Sequence, residues 1–230
     1  HYPQNSVPAT AYATVHLGAT SQLSTAGKTV LLQDPYGLRT GHVYDGGTIV
    51  VQGNVVADAG AALDVSGTSA VLGLLPLQAG TSNVFTAGLT MTALYPGTAV
   101  TQPVQLAQAV ATQIDSNGGS LTLKGSDFLF SNATLLGRAG GSTAMGGNLS
   151  VSSERFIPSG GNDDDKDITL LVAQSMAQFV QPVFSGGQVI GSALVNSIGG
   201  AIQDIGYFGT NSFATGGFDS LTLGGNVQFV

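Results

Sequence analysis

The clearest pattern along the chain is a short phrase in which a small or polar pair precedes alternating apolar and polar residues and then a turn. Apolar side chains recur at every second position of each phrase, which in an extended chain places them on one face. Each phrase therefore predicts a short, half-buried β-strand whose Thr or Ser residues face water. The phrase occurs at 46–53, 118–125, 146–153 and 218–225.

Two of these phrases begin 28 residues apart, at Gly118 and Gly146. A sequence period of roughly 20–50 residues is typical of solenoids. In a parallel β-helix each coil contributes one strand to each face, and stacked coils bury a continuous column of apolar side chains. The pattern therefore predicts an all-β fold, a parallel β-helix (β-solenoid) with irregular loop excursions and one or two short helices.

The spacing of the phrases divides the chain into regular and irregular parts. The β-helix coils are expected at 46–71, 118–153 and 218–230, with the last coil continuing beyond the fragment. An irregular, partly β entry segment is expected at 1–45, and excursions are expected at 72–117 and 154–217.

Both excursions contain a possible helix. In the first, Pro103 followed by Val104, Ala107 and Ala111 allows a short helix that begins at the proline. In the second, the run 168–172 fits either a strand or a helical stripe. Its β-rich composition and the Gln181-Pro182 pair favour a strand first, with a helix allowed after Ala173.

The amino-acid composition argues against several classes of function. The chain of 230 residues contains 34 glycines, and only 8% of its residues are charged, against about 25% in typical domains. No stretch offers the roughly 20 consecutive apolar residues of a membrane-spanning helix, so we expect no transmembrane span. A net charge of −7 with six Lys and Arg argues against nucleic-acid binding. The absence of cysteine excludes disulfides and thiolate metal sites.

Several stretches resemble filamentous haemagglutinin-type large exoproteins, a two-partner-secreted family of β-helical adhesins. The similarity lies in 62–67, in 131–141 leading into 146–156, and in 211–227. It implies a right-handed β-helix, export through an outer-membrane secretion pore, and display as a fibre on the outer surface of a Gram-negative bacterium or in its surroundings. We expect the chain to be an internal or C-terminal-region fragment of such a protein.

The one charge cluster lies in a polar loop, where carboxylates could hold calcium. The candidate ligands are Asp163, Asp164, Asp165 and Asp167. Consecutive carboxylates repel one another, and the spaced ligand pattern of a calcium loop is missing, so a solvated loop is the preferred interpretation. The three histidines, His1, His16 and His42, have no metal-binding spacing.

Catalytic candidates are sparse. Hydrolysis on a β-helix needs carboxylates or basic residues that converge from neighbouring coils. Asp58 and Asp64 lie near predicted corners, where Asp is favoured for its bonds to the backbone. Aromatic side chains could instead stack on a sugar, but Phe128 and Phe130 lie two positions apart, as core residues of a strand do, so we expect both to pack in the core. The remaining charged candidates are Asp115, Asp127, Lys124, Arg138 and Arg155.

The sequence thus predicts a protein that is not an enzyme and needs no cofactor. The expected role is a structural or adhesive segment of a secreted fibrous exoprotein, active in adhesion, cell contact or biofilm formation, with a glycan or protein receptor that the sequence does not name. Exposed end coils could pair with another chain, which makes a self-assembling extracellular filament or sheath the first alternative. A polysaccharide-active β-helix enzyme is the more remote one.

Overall fold

The computed structural model describes residues 14–32, 34, 37–75, 78–79, 84–95, 98–107, 109–153, 168–180 and 205–230. Strands dominate these residues, so the predicted all-β class is confirmed. The strands are β1 (Thr14–Leu17), β2 (Gln22–Ser24), β3 (Thr29–Leu32), β4 (Thr40–Val43), β5 (Thr48–Ala57), β6 (Ala62–Asp64), β7 (Ser69–Leu74), β8 (Val84–Tyr95), β9 (Thr98–Ala107), β10 (Val110–Asp115), β11 (Ser120–Ser131), β12 (Thr134–Leu136), β13 (Asn148–Ser153), β14 (Thr169–Ala173), β15 (Ile205–Gly209), β16 (Ser220–Gly224) and β17 (Asn226–Phe229).

Parallel pairing joins strands that lie far apart in the sequence. The four predicted phrases form one stack, in the order β5, β11, β13, β16. Leu121 of β11 lies between Ile49 of β5 and Leu149 of β13. Neighbouring levels bring together residues 72 or 28 positions apart, as in the hydrogen bonds from Arg138 N to Ser66 Oγ and from Thr143 N to Asp115 Oδ2.

Two further parallel stacks complete the arrangement. One runs β1, β5, β11, β15, β14, β17 and uses the second halves of the long strands β5 and β11. The other runs β2, β6, β12, with Leu23, Leu63 and Leu135 in register. A short helix, α1 (Asn211–Gly216), contacts β12, and Gly137 N donates to Gly216 O.

The strands place one apolar core between the stacks. The first half of β5 alternates between exposed and buried positions, as its sequence predicts. The same alternation in β13 buries Leu149 and Val151. The core also contains Val55, Leu63, Leu121, Leu123, Leu135, Leu170 and Phe208. A smaller cluster contains Val56, Phe128, Phe130 and Met176, so the predicted packing of both phenylalanines is confirmed.

Antiparallel hairpins interrupt the stacks. β3 pairs with β4, β7 with β10, and β8 with β9. The helix predicted to begin at Pro103 is wrong, because β9 runs through Pro103 and places it opposite Thr90 of β8. β9 pairs with no strand other than β8 in the described part of the chain, and proline is tolerated on such an edge strand. Long-range pairing overrides a local helix signal here.

The second excursion follows its preferred interpretation where the structure describes it. Residues 169–173 form β14, and a 3-10 helix (Met176–Gln178) follows Ala173, capped by Ser175 Oγ, which accepts a hydrogen bond from Ala177 N. Helix α1 was not predicted. It ends at Gly217, whose φ of 74° is the left-handed conformation that glycine supplies at helix ends.

Two buried serines on the stacks differ in their partners, which makes them a matched pair. Ser153 Oγ is buried and has no hydrogen-bond partner among the described residues. Ser116 Oγ donates to Thr68 O (3.0 Å) and accepts from Thr68 N (2.9 Å). We expect Ser153→Ala to leave the free energy of unfolding unchanged or to raise it slightly, and Ser116→Ala to lower it by about 1–2 kcal/mol. Urea denaturation measures both, and equal losses would contradict the assigned bonding.

Candidate functional surface

A ladder of Asp and Asn side chains fixes the corner that leads into the first stack. Asp45 Oδ1 accepts from Asn117 N (2.7 Å), and Asn117 Oδ1 accepts from Met145 N (2.9 Å). Asp219 Oδ2 accepts from Gly146 N (2.7 Å). Each side chain thus satisfies a backbone donor of a neighbouring level, which aligns the corners of successive levels.

Asp115 links the turns that lead into β11 and β13, the second and third strands of the first stack. Its carboxylate accepts from Gln113 Nε2 (2.8 Å), from Thr143 N (3.1 Å) and from Thr143 Oγ1 (2.8 Å). These bonds, that from the Gln113 side chain above all, hold the pKa of Asp115 below its ordinary value of 3.8. Asp115 therefore stabilises the turn that it occupies just before Ser116 and Asn117.

The lowered pKa of Asp115 predicts an acid transition in this loop. A depressed folded-state pKa stabilises the fold above the unfolded value of 3.8, and that contribution disappears as the pH falls through the folded-state pKa. We expect the Thr143 amide resonance to titrate with a midpoint below 3.8 and the titration to vanish in Asp115→Asn. A midpoint at or above 3.8, or a titration unchanged in the variant, would contradict this bonding.

The hairpins form a lateral lobe, which we define as β3, β4, β7 and β10. Gly73 N donates to Arg39 O (2.8 Å), so the two hairpins lie side by side. On β3, Leu31 is 50% exposed and Leu32 is 63% exposed, although both are large apolar residues. Other exposed apolar residues of the lobe and its loops are Val30, Leu38, Val71 and Leu75. Apolar side chains grouped outside the core are typical of interaction surfaces.

The outer face of the first stack is polar and weakly charged. Thr48, Ser120, Asn148 and Ser220 lie in register across its four strands, and Ser220 Oγ donates to Asn148 Oδ1. The next outward row contains Val50, Thr122, Ser150 and Thr222. This face presents short hydroxyl side chains around a single basic residue, Lys124.

The structure separates the residues that were candidates for chemistry. Asp163, Asp164, Asp165 and Asp167 lie outside the described residues, so the calcium hypothesis stays a prediction; His1 and Arg155 also lie outside them. His16 Nε2 lies 2.9 Å from Asp58 Oδ2, and the ring of His42 lies 4.4 Å from that of Tyr44. In the described part of the chain, no group of three or more His, Asp or Glu side chains could hold a metal.

The corner role predicted for Asp64 is confirmed, because its Oδ1 accepts from Ser66 N at 2.9 Å. Asp58 lies in the turn after β5, where its carboxylate meets His16 of the neighbouring level. Arg138 contributes its backbone N to the stack through Ser66 Oγ. What sequence reasoning missed is the exposed lobe. The apolar run 29–32 lies in the entry segment 1–45, for which we expected irregular, partly β structure, and nothing in the neighbouring sequence indicates that its strand lies outside the core.

Among the described residues, no helix has the length and apolar character that a membrane crossing requires. Comparison of the chain with protein-family models, with curated proteins and with solved structures finds no match. The features from which a function can be inferred are therefore the parallel stacks, the polar outer face and the apolar lobe.

Proposed function

We propose that the chain is a structural and adhesive segment of a secreted, fibrous bacterial surface protein, built as a right-handed parallel β-helix. The observation that supports it is the repeated parallel register, in which one apolar column runs through levels 28 or 72 residues apart. Backbone hydrogen bonds between levels run along the stacking axis and stiffen it. Such a segment holds binding surfaces away from the cell.

The haemagglutinin-type resemblance gives this proposal its cellular setting. It implies a position at the outer surface of a Gram-negative bacterium, after export through an outer-membrane pore. The hydroxyl groups on the outer face of the first stack keep the proposed shaft hydrated, and its low charge gives it little electrostatic attraction to charged partners. Adhesion, cell contact and biofilm formation are the roles that follow.

The apolar lobe is the proposed contact surface of this segment. It projects from one corner of the stacks, and its exposed leucines are available to a receptor without disturbing the core. The loop between Arg138 and Met145 connects levels at a neighbouring corner without any hairpin, so the stacks do not depend on the lobe for closure. The connections between levels can therefore differ in length, and the longer ones carry binding elements while the stacked strands of the shaft stay the same.

Excision of residues 70–114, which removes β8, β9 and nearly all of β7 and β10, tests the proposal. Ser69 lies opposite Asp115 at the base of the lobe, so an Asn-Gly turn can join these two residues and keep the bonds of Asp115 to Thr143. Beads coated with the whole chain should attach to epithelial cells or immobilised polysaccharides. The excised variant, with Leu31→Ser and Leu32→Ser added to remove the exposed leucines that remain on β3, should attach at least tenfold less and should still give the far-UV circular dichroism spectrum of a β-sheet protein.

A milder variant shows whether a loss of attachment in the excised variant results merely from a loss of folding. Leu31→Ser with Leu32→Ser alters only exposed lobe positions and should also reduce attachment, whereas Val50→Ser, on the outer face of the first stack, should not. If beads coated with the whole chain attach neither to the cells nor to the polysaccharides, the adhesive role is wrong. Attachment that survives both lobe changes would remove the lobe as the contact surface.

A further inference from the structure

The sequence contains a single Asn-Gly pair, Asn117-Gly118, which lies at the corner that leads into β11. Glycine has no side chain to shield its own amide nitrogen, so in a flexible chain that nitrogen readily attacks the side-chain amide of a preceding asparagine. Every other asparagine of the chain is followed by a residue that carries a side chain. In the unfolded chain, Asn117 is therefore the asparagine most prone to lose its amide.

The folded corner holds both groups that this reaction needs. Gly118 N, the attacking atom, donates to Met145 O at 2.9 Å. Asn117 Oδ1 accepts from Met145 N at 2.9 Å, which holds the side-chain amide toward the neighbouring level. The main chain of Asn117 is bonded on its other side, to Asp45 Oδ1 through its N and to Gly46 N through its O. The nitrogen and the amide that it would attack are thus both fixed by other levels.

The same corner has no room for a longer main chain. A Cβ added to Gly118 would lie 2.5 Å from Gly137 O and 2.5 Å from Gly147 N. A Cβ added to Gly119 would lie 1.8 Å from Gly47 O. These neighbours are backbone atoms, which cannot move aside as the end of a flexible side chain can. A corner that excludes one more carbon beside the main chain also excludes one more carbon within it.

We propose that Asn117 is a modification site, shielded in the folded stack, that deamidates when the levels around it separate. In the open corner, Gly118 N loses its proton and bonds to Cγ of Asn117, and ammonia leaves. Water then opens the cyclic imide at one of its two carbonyls, which gives either aspartate or isoaspartate. Isoaspartate adds a carbon to the main chain, so the levels cannot close again. This inference concerns how long the stack lasts and does not depend on the adhesive role.

The two products of the reaction differ in their effect on the corner. Aspartate leaves the main chain unchanged, and its carboxylate can still accept from Met145 N. Asp45 illustrates this, because it occupies the position of Asn117 on the neighbouring level and its Oδ1 accepts from Asn117 N at 2.7 Å. Aspartate therefore permits the stack to close, whereas isoaspartate prevents it.

Peptide mass spectrometry of the 230-residue chain, incubated in mildly alkaline buffer with and without unfolding concentrations of urea, tests the shielding. In urea, Asn117 should lose its amide before any other asparagine. In native buffer the reaction should be slower by at least about tenfold, because the corner must open first. Asn148 is the internal comparison, since it is exposed in the fold but is followed by Leu149, and it should keep its amide in both conditions.

A matched pair of variants connects the reaction to opening of the stack. Leu121→Ala weakens the packing between β5, β11 and β13, so the corner should open more often and Asn117 should deamidate faster in native buffer. Val50→Ala, at an exposed position of β5, should leave the rate unchanged.

Refolding of the urea-treated chain tests the effect of the products. After dilution of the urea, size-exclusion chromatography separates folded from unfolded chains. Isoaspartate should be found in the unfolded fraction. Asn117→Asp, which reproduces the other product, should fold with the circular dichroism spectrum of the unchanged chain.

Four results would overturn the inference. Equal rates in native buffer and in urea would mean that the corner does not shield Asn117, and earlier loss of another amide in urea would move the site elsewhere. A native rate that is the same in Leu121→Ala would separate the reaction from opening of the stack. Isoaspartate in the folded fraction would show that the corner accepts a longer main chain.

Discussion

Replacing Gly119 with alanine is expected to lower the free energy of unfolding by about 3 kcal/mol or more, placing it among the most damaging single changes in the chain. A Cβ at Gly119 would lie 1.8 Å from the backbone oxygen of Gly47 on the neighbouring level. A backbone oxygen cannot move aside as a side chain can. The two levels would have to separate, which breaks the hydrogen bonds from Gly119 N to Val65 O and from Ser120 N to Gly47 O.

Gly18→Ala is the matched control for this prediction. Gly18 lies in a turn where an added Cβ meets nothing within 4 Å, and its φ is not in the left-handed region. Its replacement should change the free energy of unfolding by less than about 0.5 kcal/mol. Urea denaturation followed by circular dichroism compares the two variants. Equal stability of Gly119→Ala and Gly18→Ala would mean that these corners do not approach as closely as described.

Leu121→Ala should lower the free energy of unfolding by about 2–5 kcal/mol. Leu121 is fully buried at the centre of the first stack, between Ile49 and Leu149 of the two flanking strands. Its truncation leaves a cavity that these neighbours fill only in part, because the parallel backbone on both sides fixes their positions. The loss of transfer free energy and the cavity both contribute.

Val50→Ala serves as the control for the core truncation. Val50 lies on the strand next to Leu121 but on the outer face, where it is 60% exposed. We expect its replacement to change stability by less than about 0.5 kcal/mol. The difference in urea midpoint between the two variants measures the inside-outside alternation directly. A smaller effect for Leu121→Ala than for Val50→Ala would reverse the assigned faces of the first stack.

The alternation of apolar and polar residues made the strands of the first stack predictable. In β5, β11, β13 and β16 the phrase itself contains the information, because a period of two fixes both the strand and its buried face. Corner roles were also readable, as Asp64 illustrates, since Asx turns depend on neighbours two residues away. These are local properties of the chain.

The elements that were not predictable depend on distant partners. Strand β9, which contains Pro103, forms because β8 pairs with it, and nothing in the sequence of β9 indicates that partner. Likewise β15 pairs between β11 and β14, although β14 precedes it in the chain. The exposed lobe belongs to the same class, since exposure is a property of the assembled stack. Sequence patterns identify a strand more readily than its neighbours.

Introduced cysteine pairs measure the central claim, the parallel register of the stacked levels, most directly. The chain contains no cysteine, so Thr122→Cys with Ser150→Cys creates one candidate bond across adjacent parallel strands. Their Cα atoms should lie about 4.8 Å apart, within the range that a disulfide spans. The account predicts a rapid intramolecular disulfide in dilute solution and none for Thr122→Cys with Ser152→Cys, one pleat out of register. No disulfide in the first pair, or equal yields in both, would contradict it.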